Sequence, residues 1–295
     1  MDGAEPGPFS LVIGASGAVG RFLIPRLLDA EHKVVAVSRV LRGGDPRVHW
    51  LVGDLHRQMP MAGRPDVIFS LGPLDAFARW FARMPVDGAR VIALGSMSIH
   101  SKRTSADPGE RELADRLQAA ETLLTRTCDA HGCAWTLFRP TLIYGAGSDR
   151  SLTPIARLGA RWRVFPRIAA ARGLRQPVHA QDLAAACMAV LQGTATHSHV
   201  YALGGAERLA FADMLERVRA SLPLRTFAVP VPLGALRSLS TLARAMGLPA
   251  PGRAAIARLN CDLVAEQAAA IADFGWAPRV FRPDATAWRS RQEPV

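Results

Sequence analysis

Short apolar runs alternate with amphipathic stretches through the first half of the chain, and that alternation predicts most of its elements. Leu11-Val12-Ile13 is a run of bulky residues suited to a strand buried on both faces. Glycines follow, then Phe22, Leu23, Leu27 and Leu28 on one helical stripe, so a strand and its helix span Phe9 to Ala30. Lys33 to Ser38, Val48 to Val52, Asp66 to Leu71 and Arg90 to Leu94 read as four more strands, with a helix over Asp75 to Arg83 before the last. His100 to Pro108 reads as a polar loop. Pro108 to Ala130 is a long helix striped by Leu113, Leu117, Ala120, Leu123 and Leu124, and Gly132 stops it. Ala134 to Phe138 is a sixth strand, ended by Arg139-Pro140. This alternation predicts an α/β fold, a doubly wound parallel sheet of the Rossmann kind.

After about residue 145 the rhythm changes. Helices are expected over Leu152 to Arg163, Gln181 to Leu191, Phe211 to Ala220 and Ala265 to Ala272, with strands at Arg175 to Val178 and Val200 to Leu203. Residues 224–259 alternate apolar and basic side chains (Leu236, Arg237, Leu242, Arg244), the pattern of a segment that covers a cleft or subunit contact, or lies on a membrane surface. The expected division is a nucleotide-binding Rossmann domain over 1–145 and a smaller α/β substrate domain over 146–295, some of whose segments return to the first sheet. Residues 1–8 read as a loose leader.

Composition narrows the class. Of 295 residues 49% are hydrophobic, enough for a full core, which excludes a disordered chain. The net charge is +11, and only Lys33 and Lys102 among the basic residues are not arginine. The arginines read as scattered, so no nucleic-acid partner is expected. Cys128, Cys133, Cys187 and Cys261 form no C-x-x-C pair and stand at no metal spacing with histidine, which predicts buried thiols in a reducing compartment and no metal. No signal peptide and no apolar run of about 20 residues is visible. The expectation is a soluble cytoplasmic protein without a membrane span, acting on a small molecule, with a homodimer as the open oligomeric option.

The chemistry concentrates in Gly14-Ala15-Ser16-Gly17-Ala18-Val19-Gly20, a G-x-x-G-x-x-G run between a strand and a helix. Gly14 suits a turn that a Cβ would obstruct. Gly17 lets backbone approach a pyrophosphate, and Gly20 lets helix and strand pack closely. The helix start offers N–H groups to the phosphates. Ligands of doubly wound sheets bind at the carboxyl ends of the strands, where Gly14, Arg39, Asp54, Ser70 and Ser96 all fall. At the end of the second strand stand Ser38 and Arg39, with no Asp or Glu to take a ribose 2′-hydroxyl. Arg39 therefore argues for NADP, with NAD as the other option, unless it is one more solvated arginine.

These segments, in this order, resemble an extended short-chain dehydrogenase/reductase of the NAD-dependent epimerase/dehydratase family. Gly14 to Gly20 resembles the cofactor loop, and Gly53-Asp54-Leu55 the motif whose aspartate contacts adenine. Leu94-Gly95-Ser96-Met97-Ser98-Ile99-His100 resembles the strand end that carries the catalytic Ser/Thr. Arg139-Pro140-Thr141-Leu142-Ile143-Tyr144-Gly145 is similar to the segment beside the nicotinamide. Val178-His179-Ala180-Gln181-Asp182-Leu183-Ala184 and Tyr201-Ala202-Leu203-Gly204-Gly205 are similar to later family motifs. The resemblance implies that Gly14, Ala15, Ser16, Gly17, Ala18, Val19, Gly20, Ser38, Arg39, Asp54, Leu55, Ser70, Leu71, Gly72, Pro140 and Ile143 hold the dinucleotide. It also implies that Ser96 is the catalytic hydroxyl.

The departure lies at the reaction centre. The family uses a tyrosine acid/base four residues before a lysine, and that register here holds Ala114 and Gln118, followed by Glu121. Alanine has no proton to give, and positioned acid/base groups contribute roughly 10²–10⁴ to such steps. His100 is the nearest titratable replacement, against an exposed loop histidine as the plainer reading. Two functions compete. One is an oxidoreductase or nucleotide-sugar-modifying enzyme with atypical or lost acid/base groups. The other is a non-catalytic NADP(H)-binding accessory or redox-sensing protein, for which the accessory subunit of respiratory complex I is a precedent. The stretch Asp273-Phe274-Gly275-Trp276-Ala277-Pro278 is similar to that branch.

Overall fold

The computed structural model describes residues 7–60, 63–149, 151–245 and 252–289. Most of the expected leader, and the side chains of Arg237, Leu242 and Arg244, lie outside the described residues.

The strands in chain order are β1 (Phe9–Ile13), β2 (Lys33–Ser38), β3 (Val48–Val52), β4 (Val67–Ser70), β5 (Arg90–Leu94), β6 (Trp135–Pro140), β7 (Ile143–Tyr144), β8 (Val164–Arg167), β9 (Leu174–Arg175), β10 (Val178–His179), β11 (His199–Leu203), β12 (Leu209–Ala210) and β13 (Phe227–Pro230). The helices are α1 (Gly20–Asp29), α2 (Leu74–Arg83), α3 (Ser98–Ser101), α4 (Pro108–Ala130), α5 (Leu152–Trp162), α6 (Ala180–Ala189), α7 (Phe211–Ala220), α8 (Leu233–Ala245), α9 (Arg253–Ala257) and α10 (Ala268–Phe274). Seven strands form one sheet in the order β11-β6-β5-β4-β1-β2-β3, every neighbouring pair parallel. The order reverses after β3, where the chain crosses from β3 to β4 beside β1. Such a reversal opens a ligand crevice at the carboxyl ends of the strands.

The apolar runs are continuous because the sheet is covered on both faces. Val12, Phe69, Ile92 and Phe138 pack with Leu23 and Leu27 of α1 and Leu183 and Cys187 of α6. Leu11, Ile13, Ile68 and Val91 alternate to the other face, under Phe77 and Phe81 of α2 and Leu124 and Cys128 of α4. A third core gathers Tyr144, Leu152, Phe165, Leu215, Ile256, Phe281 and Trp288 in the second half of the chain. That half also returns residues to the first layers: β11 completes the sheet, and α6 packs against α1.

Five expectations need correction. The polar loop after β5 begins with a short helix, α3. The single strand expected at Arg175 to Val178 is two two-residue strands, β9 and β10, because Pro177 between them has no N–H for a ladder. The helix expected at Ala265 to Ala272 instead runs from Ala268 to Phe274, as α10. Three cysteines are buried as expected, but Cys261 is exposed. The amphipathic reading of 224–259 also divides, since Pro230 and Pro232 end an extended strand, β13, before α8 begins.

Candidate dinucleotide site

The β1–α1 loop forms one end of the crevice. Gly14 adopts φ +80°, and a Cβ there would lie 2.9 Å from the carbonyl carbon of Leu71 and 3.0 Å from the Gly72 nitrogen, so glycine alone fits. The Gly17 N–H donates to the Gly14 carbonyl (2.9 Å) and the Ala15 N–H to the Val37 carbonyl (3.3 Å), which ties the loop to β2. A Cβ on Gly20 would come 2.7 Å from the Ala15 carbonyl carbon, so the first turn of α1 presses on the loop. Ala15 and Val19 are buried, Ala18 packs on the sheet core, and Ser16 faces solvent. No side chain caps α1, and its first turn holds no acidic residue. The Arg21 and Phe22 N–H groups are met by the Gly17 (3.3 Å) and Val19 (3.0 Å) carbonyls, so what the helix start offers an anion beside the loop is its positive dipole end.

The neighbouring strand ends close around this loop. The Leu71 N–H donates to the Ile13 carbonyl (2.9 Å), holding Leu71-Gly72 against Gly14. The Ser70 hydroxyl is fully buried and has no hydrogen-bond partner among the described residues. Ser38, expected to face a ligand, instead spends its hydroxyl on its own turn, donating to the Val40 carbonyl and accepting the Val40 N–H (3.2 Å). Arg39 beside it is exposed. Asp54 caps a turn through the His56 N–H (2.9 Å), and Leu55 packs on the protein core on the Gly72 side. The structure thus brings Gly14–Gly20, Arg39, Asp54 and Ser70–Gly72 to one edge.

The other end of the crevice lies where β5 and β6 meet α4. The Ser96 hydroxyl accepts the Ser98 N–H (3.1 Å) as the chain turns into α3. The Pro140 carbonyl accepts the Met97 N–H (3.1 Å), and Ile143 is half-buried against the sheet core. On α4, Ala114 is 2% exposed and Gln118 faces solvent. Glu121, one turn further, is buried and receives the Arg139 guanidinium through Nε at 3.0 and 3.2 Å and through Nη2. A Cβ at Gly95 would lie 2.9 Å from Glu121 Oε1, so this carboxylate also demands the glycine. Arg139 donates a further bond from Nη1 to His100 Nε2 (3.0 Å). A guanidinium can only donate, so this His100 nitrogen is the unprotonated one. Burial, and then the charge of Arg139, push the His100 pKa below its ordinary value. His100 is therefore a neutral acceptor tied to Arg139.

The Glu121–Arg139 pair was legible as two residues but not as a contact. Its signal was an arginine in the apolar strand Trp135–Pro140 and a glutamate on the apolar stripe of α4, two charges that burial permits only together. Two more residues were assigned no role by the sequence. Arg175, 4% exposed, donates to the carbonyls of Leu174 (2.8 Å), Cys261 (2.7 Å) and Arg258 (2.7 Å). Arg258 in turn pairs with Glu110 at the start of α4, linking residues 258–260 to the crevice wall. His179 packs edge-on against Tyr144 (5.0 Å between ring centres) and accepts the Gln181 N–H on Nδ1 (3.1 Å). Burial chiefly, then the charge of Arg279, hold its pKa down to about 4. Among the described residues no group of His, Cys, Asp and Glu could hold a metal ion, and no helix is long and apolar enough to cross a membrane.

Solved structures share this arrangement over nearly the whole chain. MoeE5 in complex with UDP-glucuronic acid and NAD superposes with a TM-score of 0.68 at 17% identity, covering 95% of this chain and 97% of the other. UDP-glucuronic acid 4-epimerase from Bacillus cereus in complex with NAD gives 0.69 at 12% identity, covering 95% and 96%. The chain shares the Rossmann-like fold of these epimerases and dehydratases. Both of those neighbours hold NAD, and the glycine cradle described above fits a nucleotide of that type. No protein-family model matches the chain. A sequence relative is the mitochondrial NADH dehydrogenase [ubiquinone] 1 alpha subcomplex subunit 9 of Dictyostelium discoideum, 23% identical over 233 residues. The match takes in 72% of this chain and spans 63% of the length of that relative.

Proposed function

We propose that this chain binds NADP(H) at the β1–α1 crevice and holds it without catalysing proton-coupled hydride transfer, as an accessory or redox-sensing protein. The observation that carries this reading is the pair of positions on α4, where Ala114 is buried and Gln118 faces solvent. A bound nicotinamide would supply a hydride at the β5–β6 end. Among the described residues, the two candidates at that end are poor acid/bases: Ser96 is a weak acid, and His100 Nε2 already accepts from Arg139. At the other end, the N-terminus of α1 and the loop Gly14 to Gly20 would hold the pyrophosphate, with Ser70, Leu71 and Gly72 behind it. Asp54 and Leu55 would face the adenine. Arg39 would pair with a 2′-phosphate, which favours NADP over NAD. Pro140 and Ile143 would flank the nicotinamide. The Dictyostelium relative, named as a subunit of NADH dehydrogenase, supports an accessory role.

The competing reading is a nucleotide-sugar-modifying enzyme centred on Ser96, supported by neighbours named as epimerases and dehydratases. One experiment separates them. Purified protein is titrated with NADPH and NADH, then the NADPH complex is offered a panel of nucleotide sugars and aldehydes. The expected result is tighter NADPH binding, weakened about tenfold by Arg39→Glu, a loss of one charge-assisted contact, and no nucleotide oxidation. Turnover that Ser96→Ala abolishes would replace the accessory reading with the enzymatic one. Equal affinity for the two nucleotides would remove the role of Arg39.

A further inference from the structure

The positive charge of this chain is not spread evenly. Residues 151–172 hold five arginines and no Asp or Glu, and residues 217–261 hold seven arginines and again no acid. The remaining 228 residues carry 24 basic and 25 acidic side chains, so the whole excess of +11 resides in these two segments. Their separation along the chain hid this in the sequence. The fold brings them together, because β8 from the first segment pairs with β13 from the second, Val164 opposite Phe227 and Pro166 opposite Val229.

That ribbon is apolar on its outer face. Phe165 points inward to the third core, so Val164, Phe227 and Val229 stand on the opposite face by strand alternation. Phe227 is 75% exposed, Trp162 at the end of α5 is 63% exposed, and Leu158 one turn earlier is 54% exposed. The Phe227 N–H donates to the Arg163 carbonyl (2.7 Å), which fixes the ribbon beside the end of α5. Arg161, Arg163, Arg167 and Arg225 are exposed around these side chains, and the Arg161 guanidinium lies 5.6 Å from the Trp162 ring centre. Glu216 on α7 is engaged by Arg219.

We propose that this face is a docking surface for the headgroup layer of an anionic lipid bilayer. A tryptophan at the end of α5 and a phenylalanine on the ribbon beside it suit the headgroup–acyl boundary, and a collar of arginines suits the phosphate plane above it. A second copy of the chain fits less well, since a two-fold contact would press two arginine collars against each other. Nucleic acid would leave Leu158, Val164 and Val229 without an apolar partner. The proposal is independent of the nucleotide site.

The full-length protein is mixed with phosphatidylcholine vesicles with and without about 30% phosphatidylglycerol, and partition is read by co-sedimentation. Binding to the anionic vesicles alone is expected. Trp162→Ser with Phe227→Ser should weaken it about tenfold, and so should Arg161→Glu with Arg225→Glu. Arg64→Glu with Arg126→Glu makes the same change in net charge on other elements and should leave binding close to wild type. Thermal melting and nucleotide titration check that each variant is folded. Absence of vesicle binding by the folded wild type overturns the proposal. So does a loss that follows net charge equally in both charge-reversed variants, or one that spares the Trp162/Phe227 variant. A concentration-dependent dimer dispersed by the Trp162/Phe227 variant, without vesicle binding, assigns the face to a second copy. Capture of an acidic protein in place of vesicles assigns it to a protein partner.

Discussion

The two ends of the crevice lie on one sheet edge but are furnished differently. At the β1–α1 end the crevice is lined by backbone: a glycine at positive φ, a helix start with no side-chain cap and a neighbouring loop that leaves no room for a Cβ. At the β5–α4 end the polar side chains have been turned on one another, Glu121 onto Arg139 and Arg139 onto His100. Backbone geometry of the first kind carries its own cost, because a glycine gives up conformational entropy on folding. A closed charge network of the second kind stabilises its corner whether or not a ligand is present. On the proposed function, the end that would bind and the end that would react differ in what their geometry asks for.

The sharpest way to break this comparison is at the charged corner. Glu121→Ala leaves a largely buried guanidinium unpaired and should cost about 3–5 kcal/mol in chemical denaturation. A loss below 1 kcal/mol would mean that the pair is solvated and the corner open. Next is Gly14→Ala, which forces a Cβ against Leu71 at positive φ. It should cost about 2–3 kcal/mol and abolish nucleotide binding by calorimetry. Retained binding would move the nucleotide away from the loop.

A pH series sharpens the comparison from a third position, outside both ends. Folding holds the His179 pKa at about 4 against an ordinary 6.5, so the unfolded chain takes up its proton first as pH falls. His179 then contributes a stability loss that begins near pH 6.5 and is complete near pH 4, about 2 kcal/mol after discounting for partial exposure. His179→Gln, which keeps an acceptor for the Gln181 N–H, should flatten that limb of the stability curve. An unchanged limb would assign it to other groups. The smallest effect belongs to Gln118→Lys. An exposed side chain is exchanged, so stability should shift by less than about 0.5 kcal/mol, with no turnover gained from the lysine alone. Turnover gained by this change would show that the corner lacks only a charge.

The first half of the fold was legible because its central strands are buried on both faces and its edge strand β3 still carries an apolar run. Lys33–Ser38, Val48–Val52, Arg90–Leu94 and the helix Pro108–Ala130 fall where the apolar runs and stripes put them. The second half was less so. Its strands at Leu174–Arg175, Val178–His179 and Leu209–Ala210 are two residues long, too short to carry a period. Its ribbon strand Phe227–Pro230 is exposed throughout, so no burial pattern marks it. At the site, residue types foretold the glycine cradle, since Gly14 has a backbone reason that sequence spacing records. They did not foretell that Ser38 would cap its own turn or that His100 would face Arg139, because both depend on side-chain direction.

The edge position of β11 has a consequence during synthesis. β6 ends at Pro140 and its outer neighbour begins at His199, so 58 residues must follow before the sheet can be finished. At about 5–20 residues per second that interval is roughly 3–12 s. Throughout it the nascent chain presents an unpaired strand edge rich in Trp135, Leu137 and Phe138, the kind of edge that recruits other chains. The same delay leaves the α1 face of the sheet without α6 to cover it. For this molecule the vulnerable moment precedes the native state, and translation speed between codons 141 and 198 becomes one of the terms that set its yield.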